Sequence, residues 1–330
     1  MGLLGAGTVG REVARMLLAR STPWAVDGSR LELVAIAVRD VDRARANGLR
    51  AQLLTDAPAH VVASPDTDVI VEVIGGDEPG HTLTLAALAA GKSVVTANKH
   101  VVAHHGAALE AAARSTGAAL RFEASVGGGT PVLGPLATDL AAAEIGAVRG
   151  IVNGTTNYIL SAMADEGRDY ADVLAAAQAA GYAEADPSGD VEGRDAGNKL
   201  VILARLAFGC WLDPRDVATT SRDGPGAGRP GITGVTADAI ARARQAGRVV
   251  KLVAEARRGT AGEITACVLA REVPADSDLG RTAGVLNRIE VDAAPLGTVA
   301  FSGPGAGGPA TATAVVADLI AISRGLGSTW

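Results

Sequence analysis

The sequence predicts an α/β fold in which a parallel-sheet domain is followed by a second, α+β domain with its own sheet. Three observations predict it. Gly5, Gly7 and Gly10 form a G-x-G-x-x-G turn directly after a short apolar run. From there to about residue 124, strand-length apolar runs alternate with helical patterns, as parallel strands joined by crossover helices require. At Gly127-Gly128-Gly129-Thr130-Pro131 the alternation stops, and from Val249 onward short alternating runs point to a second sheet.

Residues 1–10 read MGLLGAGTVG. The first glycine permits a tight turn, the second lets backbone approach a pyrophosphate, and the third lets helix and strand pack closely. Val9, Val13, Met16 and Leu17 give the following helix one apolar face, and its N-terminus then faces the phosphates of a dinucleotide. Residues 31–38 (LELVAIAV) read as the second strand, with Arg39 and Asp40 at its end. An acid there holds the ribose 2′-hydroxyl of NAD, an arginine suits the 2′-phosphate of NADP, and with both present the preference stays open.

A third strand over 68–74 ends in Gly75-Gly76. A helix over 82–90 and a strand over 93–97 follow, and Asn98-Lys99 then sits at the carboxyl end of a strand, where open α/β sheets bind ligands. A helix over 101–115 and a strand over 118–124 complete the alternation. His100, His104 and His105 lack a further ligand at a metal-binding spacing and read as solvated helix histidines. Beyond the glycine break come a helix over 132–142, a strand over 147–152 and the turn Asn153-Gly154-Thr155-Thr156-Asn157. Helices over 158–166, 170–180 and 195–208, strands from 249 and 264, and a last helix over 311–322 follow.

Composition narrows the function. The 330 residues are enough for two domains, and a hydrophobic content of 48% argues against disorder. A net charge of −6 offers no basic surface to nucleic acid or to an anionic membrane. The uncharged run 293–317 is broken by Pro295, Pro304 and Pro309 and cannot span a membrane. The two cysteines, Cys210 and Cys267, have no metal-ligand spacing and read as buried free thiols in a reducing cytoplasm.

Residues 181–199 (GYAEADPSGDVEGRDAGNK) concentrate Glu184, Asp186, Asp190, Glu192, Asp195 and Lys199. The first part is too rich in Gly and Pro for a helix, and the second runs into the helical pattern 195–208. Asp195 and Lys199, at i and i+4, share one helical face. In an isolated helix they would be a surface ion pair. Beside an acidic loop they can bind a polar substrate and move a proton. An ammonium stabilises charge developing on a carbonyl oxygen and protonates it, and carboxylates suit a substrate ammonium. Of 30 cationic residues only Lys92, Lys99, Lys199 and Lys251 are lysine. A lysine here marks a place where arginine would not serve, for example where a proton must leave.

Together these segments resemble the homoserine dehydrogenases. The matching pieces are GAGTVG at 5–10, VIGG at 73–76, TANK at 96–99, FEASVGGGTP at 122–131, GIVNGTTNYIL at 150–160, GYAEADPSGDVEGRDAGNKLVILA at 181–204 and GPGAGG at 303–308. A helix with Thr311 and Asp318 follows the last. The resemblance implies a Rossmann-like NAD(P)-binding domain over 1–130, a substrate-binding and dimerisation domain over 131–305, and a C-terminal helix, 306–330, that returns to the nucleotide domain. It implies reversible reduction of L-aspartate 4-semialdehyde to L-homoserine in threonine and methionine biosynthesis, by a cytoplasmic homodimer using NADP or NAD.

Carried over residue by residue, the resemblance makes Lys199 the proton donor and Asp195 a substrate-binding, orienting carboxylate. Lys99 falls close to both nicotinamide and substrate. Glu184 and Asp190 hold the amino-acid end, with Gly154, Thr155 and Tyr182 beside it. The cofactor falls to Gly5, Gly7, Thr8, Val9, Gly10, Arg39, Gly75, Thr96, Asn98, Lys99, Gly181 and Gly303. A monovalent cation, Na or K, falls to Glu123 and the carbonyls of Val126, Gly128 and Thr130. Asp186 and Glu192 receive no chemistry. Many family members add a C-terminal ACT domain; this chain stops at Trp330 without one, so threonine feedback through it is not expected. Two rivals use the same features. Another Rossmann oxidoreductase of amino-acid metabolism, such as aspartate-semialdehyde dehydrogenase, needs a catalytic cysteine, and neither Cys210 nor Cys267 is well placed. A dead dinucleotide-binding regulatory protein is opposed by the intact Lys99, Asp195 and Lys199.

Overall fold

The computed structural model describes residues 1–19, 24–26 and 29–330. Contacts divide them into two units, Met1–Ala137 with Ala306–Trp330, and Thr138–Gly305.

The first unit begins with β1 (Gly2–Leu4), α1 (Thr8–Leu18) and a hairpin of β2 (Trp24–Val26) and β3 (Ser29–Leu31). It continues through β4 (Ala35–Ala37), α2 (Val41–Ala46), β5 (Leu54–Thr55), α3 (Pro58–Ala63), β6 (Val69–Glu72) and α4 (Gly80–Ala89). Then come β7 (Ser93–Thr96), α5 (Lys99–Thr116), β8 (Leu120–Arg121) and α6 (Leu133–Ala137). Six strands make one parallel sheet in the order β5-β4-β1-β6-β7-β8. Leu3, Leu4, Ile36, Ile70, Val71, Val94 and Val95 are fully buried, which explains continuous apolar runs in place of alternation. β1 is only three residues long yet pairs on both sides.

Two expected strands are shorter than their apolar runs. In 31–38, Leu31 closes the hairpin opposite Trp24. The next residues bridge to the start of β1: Glu32 O accepts from the Met1 amino group at 2.8 Å, and Val34 N donates to Met1 O. In 118–124, only Leu120 and Arg121 pair. Glu123–Ser125 tightens into a 3-10 turn whose Glu123 N–H is taken by the Asp318 carboxylate at 2.9 Å. The helix expected over 132–142 likewise runs only through α6.

Asp318 lies on α13 (Gly308–Ser323), which packs along α1 through Val315, Leu319, Val13 and Leu17. It also pairs with Arg121 at 2.7 Å. Burial pushes the Asp318 carboxyl up to about 6, against the pull of that guanidinium.

The second unit holds β9 (Glu144–Ile151), α7 (Gly154–Glu166), α8 (Tyr170–Ala179), α9 (Ser188–Val191), α10 (Arg194–Phe208) and α11 (Ala237–Gln245). Then follow β10 (Arg248–Arg258), β11 (Ile264–Pro274), α12 (Asp278–Arg281), β12 (Leu286–Ala294) and β13 (Gly297–Pro304). Its sheet is antiparallel, in the order β11-β10-β9-β12-β13. Leu200, Val201, Ile202 and Leu203 bury α10 against it. β12 and β13 were not legible in the sequence. β13 is a half-exposed edge strand ending in Gly303-Pro304, so neither a buried apolar face nor strand composition marks it. No described helix is long and apolar enough to cross a membrane.

Candidate active site

The glycine turn is shaped as its spacing predicts. Gly5 has φ +99, and a Cβ on it would stand 2.9 Å from Val73 O; one on Gly10 would stand 2.1 Å from Gly5 O. Gly7 instead faces open space, so a ligand can approach its backbone. No side chain caps α1 at Gly7, which leaves its first-turn amides to an anion. A cavity of about 780 Å³ opens here, lined by Gly5, Gly7, Thr8, Arg11, Arg39 and Arg43 among others. Asp40 also lines it, but its Oδ1 accepts the Arg43 N–H at 2.8 Å as the N-cap of α2. Val9, Gly10, Gly75, Thr96, Asn98 and Lys99 do not line this cavity.

Thr96, Asn98 and Lys99 belong to a second feature of the same unit, organised by Glu72, which the sequence reading missed. Glu72 is fully buried at the end of β6. Its carboxylate accepts from Ile74 N at 2.8 Å, Thr96 Oγ1 at 2.7 Å and Asn98 Nδ2 at 3.5 Å. Asn98 Nδ2 also donates to Gly76 O, and its Oδ1 caps α5 at Val101 N. The network ties the ends of β6 and β7 together and fixes the start of α5, where Lys99 stands. The one available signal was an acid closing the apolar run VIVE. Beside it, the rings of His81 and His105 stack at 3.7 Å and those of His100 and His104 at 4.1 Å. The hydrogen bond from His105 holds the Asp77 carboxyl below the usual range. Among the described residues no group of three or more such side chains could hold a metal.

In the second unit the acidic loop and helix converge on Asn153, the N-cap of α7. Its Nδ2 donates to Asp190 at 2.7 Å and to Asp195 at 2.8 Å, while its Oδ1 accepts from Thr156 N. Lys199 Nζ donates to Asp195 Oδ2 and to Val152 O, both at 2.7 Å. Its third hydrogen has no partner among the described residues. The Asp195–Lys199 pair is nearly buried, 12% and 11% exposed, so it is no solvated surface pair. Thr155 Oγ1 donates to Tyr182 O, and the Tyr182 ring stacks on Tyr158 at 4.4 Å. Gly154 opens α7. Glu184 is exposed and bonds to none of these groups; Gly181 is a left-handed turn after α8, and Gly303 lies on β13. Asn153 was missed as a site residue, although an Asn-Gly-Thr-Thr run after a strand signals a helix cap. The exposed Asp186 accepts from Ser188, which lowers its carboxyl, and it shapes the loop.

Two protein-family models account for almost all of the chain. One, described as homoserine dehydrogenase, NAD binding domain, matches residues 5–123; the other, homoserine dehydrogenase, matches 131–320. The chain belongs to the homoserine dehydrogenase family. The homoserine dehydrogenase of Corynebacterium glutamicum is 44% identical over 329 residues, spanning 98% of this chain and 72% of that protein. A Thiobacillus denitrificans homoserine dehydrogenase structure is 39% identical, with a TM-score of 0.89 over 98% of this chain and 72% of its own. A hyperthermophilic archaeal homoserine dehydrogenase in complex with NADPH is 28% identical, with a TM-score of 0.79 over 98% and 97%. Like the rest of its family, the chain is an oxidoreductase, and the first unit carries the NAD-binding domain. Neither rival reading is favoured.

The monovalent cation expected from the sequence would fall to Glu123 and the carbonyls of Val126, Gly128 and Thr130. Glu123 spends its carboxylate on the amides of Val132, Leu133 and Gly134 at 2.7–2.9 Å. A carboxylate offers about four acceptor positions, so one is left. The carbonyls of Val126, Gly128 and Thr130 accept no hydrogen bond from the described residues, and Thr130 Oγ1 is buried without a partner.

Proposed function

We propose that this family member interconverts L-aspartate 4-semialdehyde and L-homoserine, with the buried Asp195–Lys199 pair as its proton-transfer centre. When bound, the nicotinamide supplies the hydride. Charge then develops on the aldehyde oxygen. Lys199 Nζ, anchored by Val152 O and Asp195, directs its remaining hydrogen to that oxygen and protonates it. Asp195 fixes the ammonium and is itself fixed by Asn153. Asp190 and the loop acid Glu184 serve the substrate's α-ammonium; the first amides of α7, at Gly154 and Thr155, serve its α-carboxylate, with Tyr182 beside them. Lys99, at the start of α5, is proposed as a further catalytic lysine. The carrying observation is a nearly buried lysine with one uncommitted N–H, held by a carboxylate that is itself held.

The cofactor reading is NADP in preference to NAD. Asp40 is committed as a helix cap, whereas Arg39 and Arg43 line the cavity and suit a 2′-phosphate. Gly5, Gly7, Thr8, Val9 and Gly10 would take the pyrophosphate, and Gly75, Thr96, Asn98, Gly181 and Gly303 the rest. Na or K would bind Glu123 with the three free carbonyls, a hard-oxygen set that fits such an ion. Exposed Val285, Leu286 and Leu296 and the open edge of β13 support a homodimer, and the free thiols Cys210 and Cys267 suit a reducing cytoplasm. The test follows NADPH absorbance with aspartate semialdehyde, and the reverse reaction with homoserine, using both cofactors. Turnover with NADPH that exceeds turnover with NADH, and an Arg39→Gln variant whose KM for NADPH alone rises about tenfold, support the reading. Absence of homoserine oxidation with either cofactor contradicts it.

A further inference from the structure

We propose that Lys251 is a substrate-positioning residue, which clamps the connection between α12 and β12 onto the first turn of α7. Lys251, on β10, is 4% exposed and belongs to no ion pair among the described residues. Its Nζ donates to Asn157 Oδ1 at 2.9 Å and to Thr282 O at 2.6 Å. Asn157, one turn into α7, donates from Nδ2 to Thr282 O at 3.2 Å and to Gly284 O at 2.9 Å. One ammonium and one amide thus hold two carbonyls of the same connection.

That connection reaches the substrate end of the unit. Val285 lies over Gly154, the opening residue of α7, so closely that a Cβ on Gly154 would stand 3.1 Å from Val285 O. Asn153, the hub for Asp190 and Asp195, immediately precedes it. A displaced connection therefore shifts the amides of Gly154 and Thr155 before it disturbs Lys199. Burying an ammonium without a carboxylate is unfavourable: desolvation lowers Lys251 to about 8, with only the field of Asp165 opposing it. Arg271, opposite on β11, spends its charge on Glu255 at 3.2 Å. A methionine would fill the position without that penalty, so the charge answers a requirement other than packing.

The inference rests on reading the α7 N-terminus as the seat of the substrate carboxylate, and its test separates the two. Lys251→Met and Asn157→Ala, which remove the clamp from opposite sides, are compared with the unaltered enzyme by amide hydrogen exchange and by steady-state kinetics. Faster exchange over 282–286 and the first turn of α7, with KM for aspartate semialdehyde up about tenfold and kcat within about threefold, is expected in both variants. Unchanged exchange in Asn157→Ala overturns the clamp whether or not Lys251→Met folds. Faster exchange with unchanged KM overturns the link to substrate. The exchange result stands even if the enzyme proves to act on another substrate, because it needs none.

Discussion

The second unit contains two nearly buried lysines in almost the same setting. Lys199 and Lys251 each donate to one backbone carbonyl and one side-chain oxygen, at 2.6–2.9 Å. They differ in that oxygen: a carboxylate, Asp195, for Lys199, and an amide, Asn157, for Lys251. They differ also in what the second partner does next. Asp195 is steadied by Asn153, so the carboxylate that anchors Lys199 is itself held in place. Asn157 passes its own hydrogens to the loop that Lys251 already holds. A carboxylate-backed ammonium can give up and regain a proton without losing its place, whereas an amide-backed ammonium serves as a strut.

Exchanging the two environments is the strongest test of that contrast. Asp195→Asn gives Lys199 the amide setting of Lys251, and kcat should fall by about 10³-fold, a loss of the size a positioned proton donor contributes. Asn153→Ala removes the amide donor shared by Asp190 and Asp195 and should lower kcat by about 10²-fold in the same assay. If either variant raises only KM, the pair is a binding device and the contrast fails.

Stability against pH probes the other lysine. Its folded value, about 8, lies below the 10.5 of the unfolded chain. Between those values the unfolded state binds the extra proton, so stability rises with pH across that window. Denaturant unfolding should show the native protein gaining on Lys251→Met between pH 8 and 10.5, by on the order of 2–3 kcal/mol. In a smaller effect, Asn157→Asp supplies the missing carboxylate and should flatten that rise. A rise unaltered in both variants would mean that another group causes it.

The outline of these regions was legible in the sequence because local chemistry fixes it. Glycine spacing set the first turn, and i,i+4 spacing put Asp195 and Lys199 on one face of α10. Apolar runs marked the central strands. What escaped depends on partners distant in the chain. Glu72 acts through Thr96 and Asn98, Asn153 through Asp190 and Asp195, and Lys251 through Thr282; no local pattern pairs them. β13 escaped for a different reason, since an exposed edge strand needs no apolar alternation.

Proton delivery by Lys199 is the step on which the proposed reaction depends. Its most direct measurement is kcat for aspartate semialdehyde reduction by Lys199→Ala, with NADPH affinity determined on the same preparation by fluorescence titration. Loss of the proton donor should lower kcat by at least about 10³-fold and leave the Kd for NADPH unchanged. Turnover within about tenfold of the native enzyme, or NADPH binding lost in step with turnover, would contradict it.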